Sequence, residues 1–340
     1  MIDLRSDTVT KPGAAMRMAM ANAEVGDDVL EGDPTVRQLE TEVARLLGKD
    51  AALYFPSGTM ANQTAIWMHA EPGTEVLCDA RAHIYDWEGA GASVFRGAQL
   101  RTVTPAIGET IRASDVERGL RAPSRYAPRA TLLCMENTHN GAGGAVTPLA
   151  DLQALGDAGR AAGLKVHMDG ARLWNAHAAT GTPLADFAAT ADTVMVSFSK
   201  GLGAPVGAAL VGPAELMADA WEVRKRFGGG MRQAGIIAAG ALYGLQQNLN
   251  RLHLDHANAA TFAALVHGAG GARPVTPDTN IVMIDLRAGQ RSSDVVAAAA
   301  AGGVALSGWS ATRVRAVFHL DVSASDAAEA GRIVAAALAA

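Results

Sequence analysis

Aromatic side chains supply only 5% of the 340 residues, cysteine occurs twice, and charged residues amount to 19%. Each shortage excludes something. With apolar residues still at 49% and rings scarce, the core must be built from close contacts between small side chains. Both Cys78 and Cys134 sit inside apolar strand-like runs (EVLCD and TLLCM), a setting for small buried hydrophobes rather than a disulfide. Lys and Arg (29) do not outnumber Asp and Glu (34), and no basic run occurs, which removes nucleic acid and acidic membrane surfaces as main partners. No apolar run approaches the roughly 20 residues of a membrane span. The least charged stretches are 233–250, broken by Gln246, Gln247 and Asn248, and 295–309, a short Ala/Gly-rich run. Asp3, Arg5, Asp7 and Lys11 stand where an apolar targeting segment would lie, so a cytoplasmic setting is expected. No HExxH, CxxC or paired-histidine spacing calls for a metal. A small molecule is left as the default ligand.

What is present is an α/β pattern. Asp33-Pro34 followed by Val36, Leu39, Val43, Leu46 and Leu47 predicts a capped amphipathic helix closing near Gly48. Short apolar runs then alternate with helical stretches, at 51–55, 75–79 and around Leu133, Val166 and Val196, the last three about 30 residues apart as in successive βαβ units. This predicts a mainly parallel sheet flanked by helices. After Gly228-Gly229-Gly230 the character changes: helix to about residue 271, strands at 280–286 and 314–320, and a closing helix from Ser323. The expected division is a large α/β domain with an N-terminal arm (1–235) and a smaller C-terminal α+β domain (236–340).

In such sheets ligands bind beyond the carboxyl ends of the strands, so polar residues that follow apolar runs are the candidates. LKVHMD ends in Asp169, three residues before Arg172, and TVMVSFS precedes Lys200. LYFP precedes Ser57-Gly58-Thr59, and TLLCM precedes Glu136-Asn137-Thr138-His139. A lysine at a buried strand end is desolvated toward the neutral amine that Schiff-base chemistry needs. Taken alone, Ser-Lys-Gly is also an ordinary surface-loop string. A carboxylate one βαβ unit earlier is what a pyridoxal ring requires to keep its nitrogen protonated, and Ser57-Gly58-Thr59 at a helix start suits a phosphate. His83, opening the segment after the next strand, could lie over a planar ring.

The strings DLRSDTVTKP (3–12), AEVGDDV (23–29), DPTV (33–36), PSGTMAN (56–62), AHIY (82–85), ENTHN (136–140), DGARLWNA (169–176), SKGLGAPVG (199–207) and GGGMRQAG (228–235) together resemble the L-threonine aldolases, a fold type I pyridoxal-phosphate family. The resemblance extends to RAVFHLDV (315–322), almost the whole chain. It implies pyridoxal 5'-phosphate as cofactor, with Lys200 as its covalent attachment, Asp169 on the pyridine nitrogen, Arg172 on the phenolic oxygen, His83 on the ring face, and Gly58 and Thr59 on the phosphate. It further implies Lys225 or Arg232 reaching the cofactor from a neighbouring subunit, Ser6 and Arg315 on the substrate carboxylate, and His139 on the hydroxyl side. His139, His83 or a water could be the base. A homo-oligomer, a dimer of dimers with subunit-spanning sites, accompanies the family.

The implied reaction is retro-aldol cleavage of L-threonine, L-allo-threonine and related β-hydroxy-α-amino acids to glycine and an aldehyde. The sequence departs from the family pattern at Leu30, where a rim tyrosine is usual, and at Phe318, where a threonine precedes His319; Trp87 lies just after His83. A more apolar rim would suit phenylserine, so a phenylserine-preferring aldolase is one alternative, and another fold type I lyase or an aminotransferase is a second.

Overall fold

The computed structural model describes residues 1–106, 109–122 and 124–340. The chain opens with strand β1 (Ile2–Asp3) and one 3-10 turn at Asp7–Val9, followed by helices Ala14–Ala21 and Pro34–Leu47. The second helix forms as its sequence dictates. Asp33 accepts from the backbone N–H groups of Thr35 (3.0 Å) and Val36 (3.1 Å), Pro34 fills the first turn, and Gly48 ends it in the left-handed region at φ +58°. Its stripe Val36, Leu39, Val43 and Leu47 is fully buried. Asp33 also accepts from Gly235 N at 2.9 Å, an approach so close that a Cβ on Gly235 would stand 2.4 Å from the carboxylate. Glycine is therefore required there.

The central sheet holds β2 (Ala51–Phe55), β3 (Glu75–Asp79), β4 (Gln99–Val103), β5 (Ala130–Glu136), β6 (Lys165–Gly170), β7 (Thr193–Ser197) and β8 (Ala208–Gly212), in the order β2-β8-β7-β6-β5-β3-β4. β8 alone runs opposite in direction to the other six strands. The expected mainly parallel α/β sheet is present. β4, which the reading of apolar runs did not single out, is an edge strand with one buried residue, Val103, so its sequence carries little hydrophobic signal.

A second sheet pairs β9 (Arg273–Pro274), β10 (Ile281–Asp285), β12 (Ser307–Ser310) and β13 (Arg313–Val317), while β11 (Val304–Ala305) pairs in parallel with β1. Helices Leu252–Val266 and Ala324–Ala339 cover the small unit. Two features differ from expectation. Helix Gly235–Tyr243 packs into the large core through Ala238, Ala241 and Leu242, and the small core begins at Ala259 and includes Leu4. The packing thus divides after residue 252 rather than at 235/236, and the amino-terminal arm is sewn to the small unit. The reason is that residues 235–252 pack on helices Ala14–Ala21 and Pro34–Leu47 and on helix Leu173–Thr180, all of the large unit.

The second difference is Phe318. The expected strand to residue 320 stops at Val317, and the Phe318 ring turns inward against Phe262, with centroids 5.3 Å apart. It is a core residue of the small unit, not part of a substrate rim. Among the described residues no helix is long and apolar enough to cross a membrane. Phe318→Ala is expected to lower stability by about 3–5 kcal/mol in urea denaturation while leaving relative activity on different substrates unchanged.

Candidate active site

The carboxyl ends of β3, β5, β6 and β7 converge on a cavity of about 310 Å³ lined by Ser6, Thr8, His83, Trp87, Asn140, Arg172, Lys200, Trp309 and Arg315. Lys200 follows β7, and burial and then Arg172 push its amine below the ordinary lysine value. Arg172 follows β6. Its Nε and Nη2 donate to Asp7 Oδ2 (2.7 Å) and Oδ1 (2.8 Å), so most of its donor face is spent on the amino-terminal arm. Asp7 is fully buried. Burial alone would raise its pKa, but the Arg172 guanidinium overrides this and holds the carboxyl well below the usual range.

Arg315, on β13, donates through Nη1 to Asn140 Oδ1 (2.9 Å) and through Nη2 to the Arg5 carbonyl (3.1 Å), and its plane lies 4.8 Å over the Trp309 ring. Its Nε is buried without a partner. Burial, then Arg172, lowers its pKa to about 10, which still leaves a full cation at neutral pH. An unspent guanidinium donor beside a polar cavity is what a carboxylate would satisfy.

Beneath these cations lies a buried polar chain. Asp169 Oδ1 accepts from Ala171 N (3.0 Å), and its Oδ2 accepts from Asn62 Nδ2 (2.8 Å). Asn62 sits one turn into helix Gly58–His69, and Ser57 caps that helix by accepting from Met60 N at 3.2 Å. The helix start at Gly58 and Thr59 therefore lies about one turn from the Asp169 contact, with first-turn N–H groups available to an anion. His83 Nδ1 meets Glu88 Oε1 at 2.8 Å. Glu136, at the end of β5, accepts from the backbone N–H groups of His83 (2.8 Å) and Asn140 (2.7 Å), tying two rim loops to the sheet. The donor set fits pyridoxal phosphate: a buried amine, a carboxylate held by an amide, an imidazole facing the cavity, and a helix start for phosphate.

Residues 3–289 match the beta-eliminating lyase family. Low-specificity L-threonine aldolase 1 of Arabidopsis thaliana is 40% identical over 332 residues, covering 96% of this chain and 93% of its own. The chain belongs to the L-threonine aldolase family. The low-specificity L-threonine aldolase of Escherichia coli strain K12 is 40% identical over 329 residues, with 97% of both chains covered. The solved Leishmania major threonine aldolase matches at TM-score 0.82 and 19% identity, covering 98% of each chain, and fixes the fold as that of the fold type I enzymes.

Of the residues expected from the family motifs, Lys200, Arg172, His83, Ser6 and Arg315 line the one cavity. His139 does not. It is enclosed, with Nε2 3.2 Å from Asp79 Oδ2 and Nδ1 accepting from Ala142 N, and Glu136 and Asp79 raise its pKa against the effect of burial. Leu30 is 78% exposed in a turn away from the cavity. Lys225 and Arg232 are also exposed and outside it; Arg232 pairs with Asp27 at 3.1 Å. Sequence reasoning missed Asp7, Asn62, Glu88 and Trp309. The family strings DLRSD and PSGTMAN contain two of them, yet nothing in those strings marks an ion pair across 165 positions.

His83, Glu88 and Asp169 bring ligand atoms within 4.8 Å of one another. The Asn62 amide donates to both carboxylates, which makes the group a hydrogen-bonded network rather than a cation cradle.

A pH dependence follows from Asp7. With its folded-state pKa depressed, its contribution to stability is complete above the unfolded-state value of about 4 and is lost as pH falls toward the lower folded value. Urea midpoints measured from pH 7 down to 3 should fall below pH about 4, and Asp7→Asn should remove that part of the acid sensitivity.

Proposed function

We propose that this protein cleaves the Cα–Cβ bond of L-threonine, L-allo-threonine and related β-hydroxy-α-amino acids, releasing glycine and an aldehyde, with pyridoxal 5'-phosphate as cofactor. The observation that carries the reading is the meeting of Lys200, Arg172, Arg315, His83 and Ser6 around one cavity, in a chain 40% identical to aldolases over nearly its full length. Lys200 is the amine for covalent attachment, Asp169 the partner of the ring nitrogen, and Gly58 and Thr59 the phosphate donors. Once bound, the cofactor supplies an electron sink for the pair left on Cα.

The chain's own residues do the rest. Arg315, with its unspent Nε, and Ser6 take the substrate carboxylate. His83 is the base that removes the β-hydroxyl proton, because it faces the cavity while His139 is enclosed with Asp79. The electrons of that O–H bond become the aldehyde carbonyl as Cα–Cβ breaks, and a proton delivered to Cα completes glycine. Arg172 gives Nε and one N–H of Nη2 to Asp7 and meets Asn140 Oδ1 through Nη1 at 3.4 Å, so its remaining Nη1 and Nη2 hydrogens are what it can offer the cofactor's phenolic oxygen. Lys225 or Arg232 enters the reading as a contribution from a second copy, in a homo-oligomer of the dimer-of-dimers type, and Leu30, exposed and outside the cavity lining, is assigned no contact with substrate. The two free, buried thiols, Cys78 and Cys134, support a cytoplasmic setting.

A preference for phenylserine is favoured by one feature. Trp87 and Trp309 flank the cavity with ring centroids 5.7 Å apart, and Trp87 is 58% exposed, leaving an aromatic wall for a β-aryl group. Glycine and acetaldehyde should appear from L-threonine with added pyridoxal phosphate; an oxo acid instead would mean an aminotransferase or eliminating lyase. Lys200→Ala should lose the borohydride-trappable link and about 10³-fold or more of turnover. In Trp87→Ala, kcat/KM should fall about tenfold for phenylserine and less for threonine; equal losses would remove the wall from the account.

A further inference from the structure

Glu88 is a buried carboxylate with no role in the steps above, yet both of its oxygens are hydrogen-bonded. It lies two residues beyond the short helix His83–Asp86, and its side chain is fully enclosed. Its Oε2 accepts from Gln63 Nε2 (2.7 Å), and its Oε1 accepts from Asn62 Nδ2 (2.8 Å) and meets His83 Nδ1 (2.8 Å). The same Asn62 nitrogen donates to Asp169 Oδ2 (2.8 Å), so one amide spans two carboxylates.

The orientation of that amide is fixed from behind. His167 Nε2 lies 3.0 Å from Asn62 Oδ1, and its Nδ1 lies 2.9 Å from Thr193 Oγ1. Burial, and then His69, drives the His167 pKa down to about 3, so the ring is neutral; because Glu88 and Asp169 both take Asn62 Nδ2, the Asn62 Oδ1 accepts, His167 Nε2 carries the proton, and Nδ1 accepts from Thr193 Oγ1. Asn62 must then present its NH₂ group to Glu88 and Asp169; reversing it would set oxygen against two carboxylates. With Asn62 and Gln63 both donating to it, the Glu88 carboxylate acts as acceptor throughout and takes His83 Nδ1–H as well. That leaves Nε2 as the histidine atom free for a proton in the cavity.

We propose that Glu88 is the positioning residue of the reaction, holding His83 as the Nδ1–H tautomer with Nε2 free for proton transfer and sharing the Asn62 donor with Asp169. The inference rests on the reading of His83 as base. Other charged groups face the imidazole: Asp169 from β6, Glu136 from the end of β5, and Lys200 beyond β7. Burial opposes protonation of His83, but the Glu88 hydrogen bond and Asp169 outweigh it and raise its pKa. All of these remain when Glu88 alone is changed.

The test is Glu88→Gln in the full chain carrying cofactor, read three ways. His83 followed by NMR titration should fall in pKa by about one unit. The acid limb of kcat/KM for threonine should move to lower pH in step, with about 10²-fold loss at neutral pH, while the cofactor absorbance band shows the enzyme still loaded. Glu88→Asp, which keeps the charge, should recover part of both. An unchanged His83 titration and a wild-type pH profile in loaded Glu88→Gln overturn the proposal; if that variant does not fold, the same two results in Glu88→Asp, with rate and pKa both at the wild-type value, overturn it. The NMR readout does not depend on the substrate. Failure to make glycine from threonine, with the His83 shift intact, would therefore sink the aldolase reading and leave the tautomer assignment standing.

Discussion

A buried ion pair between Asp7 and Arg172 is the constraint on which the site depends. Its partners come from opposite ends of the architecture. Asp7 belongs to an arm whose strand β1 pairs with β11 of the small unit, while Arg172 follows β6 in the large sheet. Asn280, at the start of β10, donates to Asp7 Oδ2 at 3.2 Å and to the Phe318 carbonyl at 2.9 Å, joining the pair to the small-unit core. Asp7 has no exposed surface, and Arg172 shows only an edge to the cavity. Losing one partner of such a pair costs about 3–5 kcal/mol because the other is left uncompensated. The arm, the small unit and the large sheet must therefore dock together, and the cavity between them forms only when they do.

The same pair governs the electrostatics of the cavity. Asp7 neutralises Arg172, but Arg315 and Lys200 stay close by, and after burial it is Arg172 that depresses both of them. Lys200 is moved toward its amine form, while Arg315 at about 10 remains charged at neutral pH. In the proposed roles, a carboxylate would go to Arg315 and Ser6, and a phosphate to the start of helix Gly58–His69. On the other side of the ring position, Asp169 and Glu88 supply negative charge bridged by one amide. The arrangement separates anion capture from proton handling.

Much of this was legible in the sequence. Asp169, Arg172 and Lys200 stand at the ends of strands whose apolar runs mark them, and Asp33-Pro34 announces its helix through local capping chemistry alone. What stayed hidden depends on contacts between distant segments. Asp7 reads as an ordinary arm residue until β1 pairs with β11, Asn62 as a mid-helix polar residue until His167 fixes its amide, and Trp309 as one residue of an Ala/Gly-rich stretch. Phe318 shows the reverse error: proximity in sequence to His319 and Arg315 suggested the rim, whereas a break in the strand turns the ring into the core. Helix Gly235–Tyr243 is apolar on every side, so no local signal says which core will cover it.

The most direct test of the central constraint is a double-mutant cycle on Asp7→Asn and Arg172→Gln, followed by urea denaturation of the full chain at neutral pH. Each single change should cost about 3–5 kcal/mol, and the double variant little more than either, giving a coupling of about 2 kcal/mol or more. Additive losses would contradict the account, because they would mean that the two residues stabilise the fold independently and that no shared charge pair holds the arm, the small unit and the sheet together.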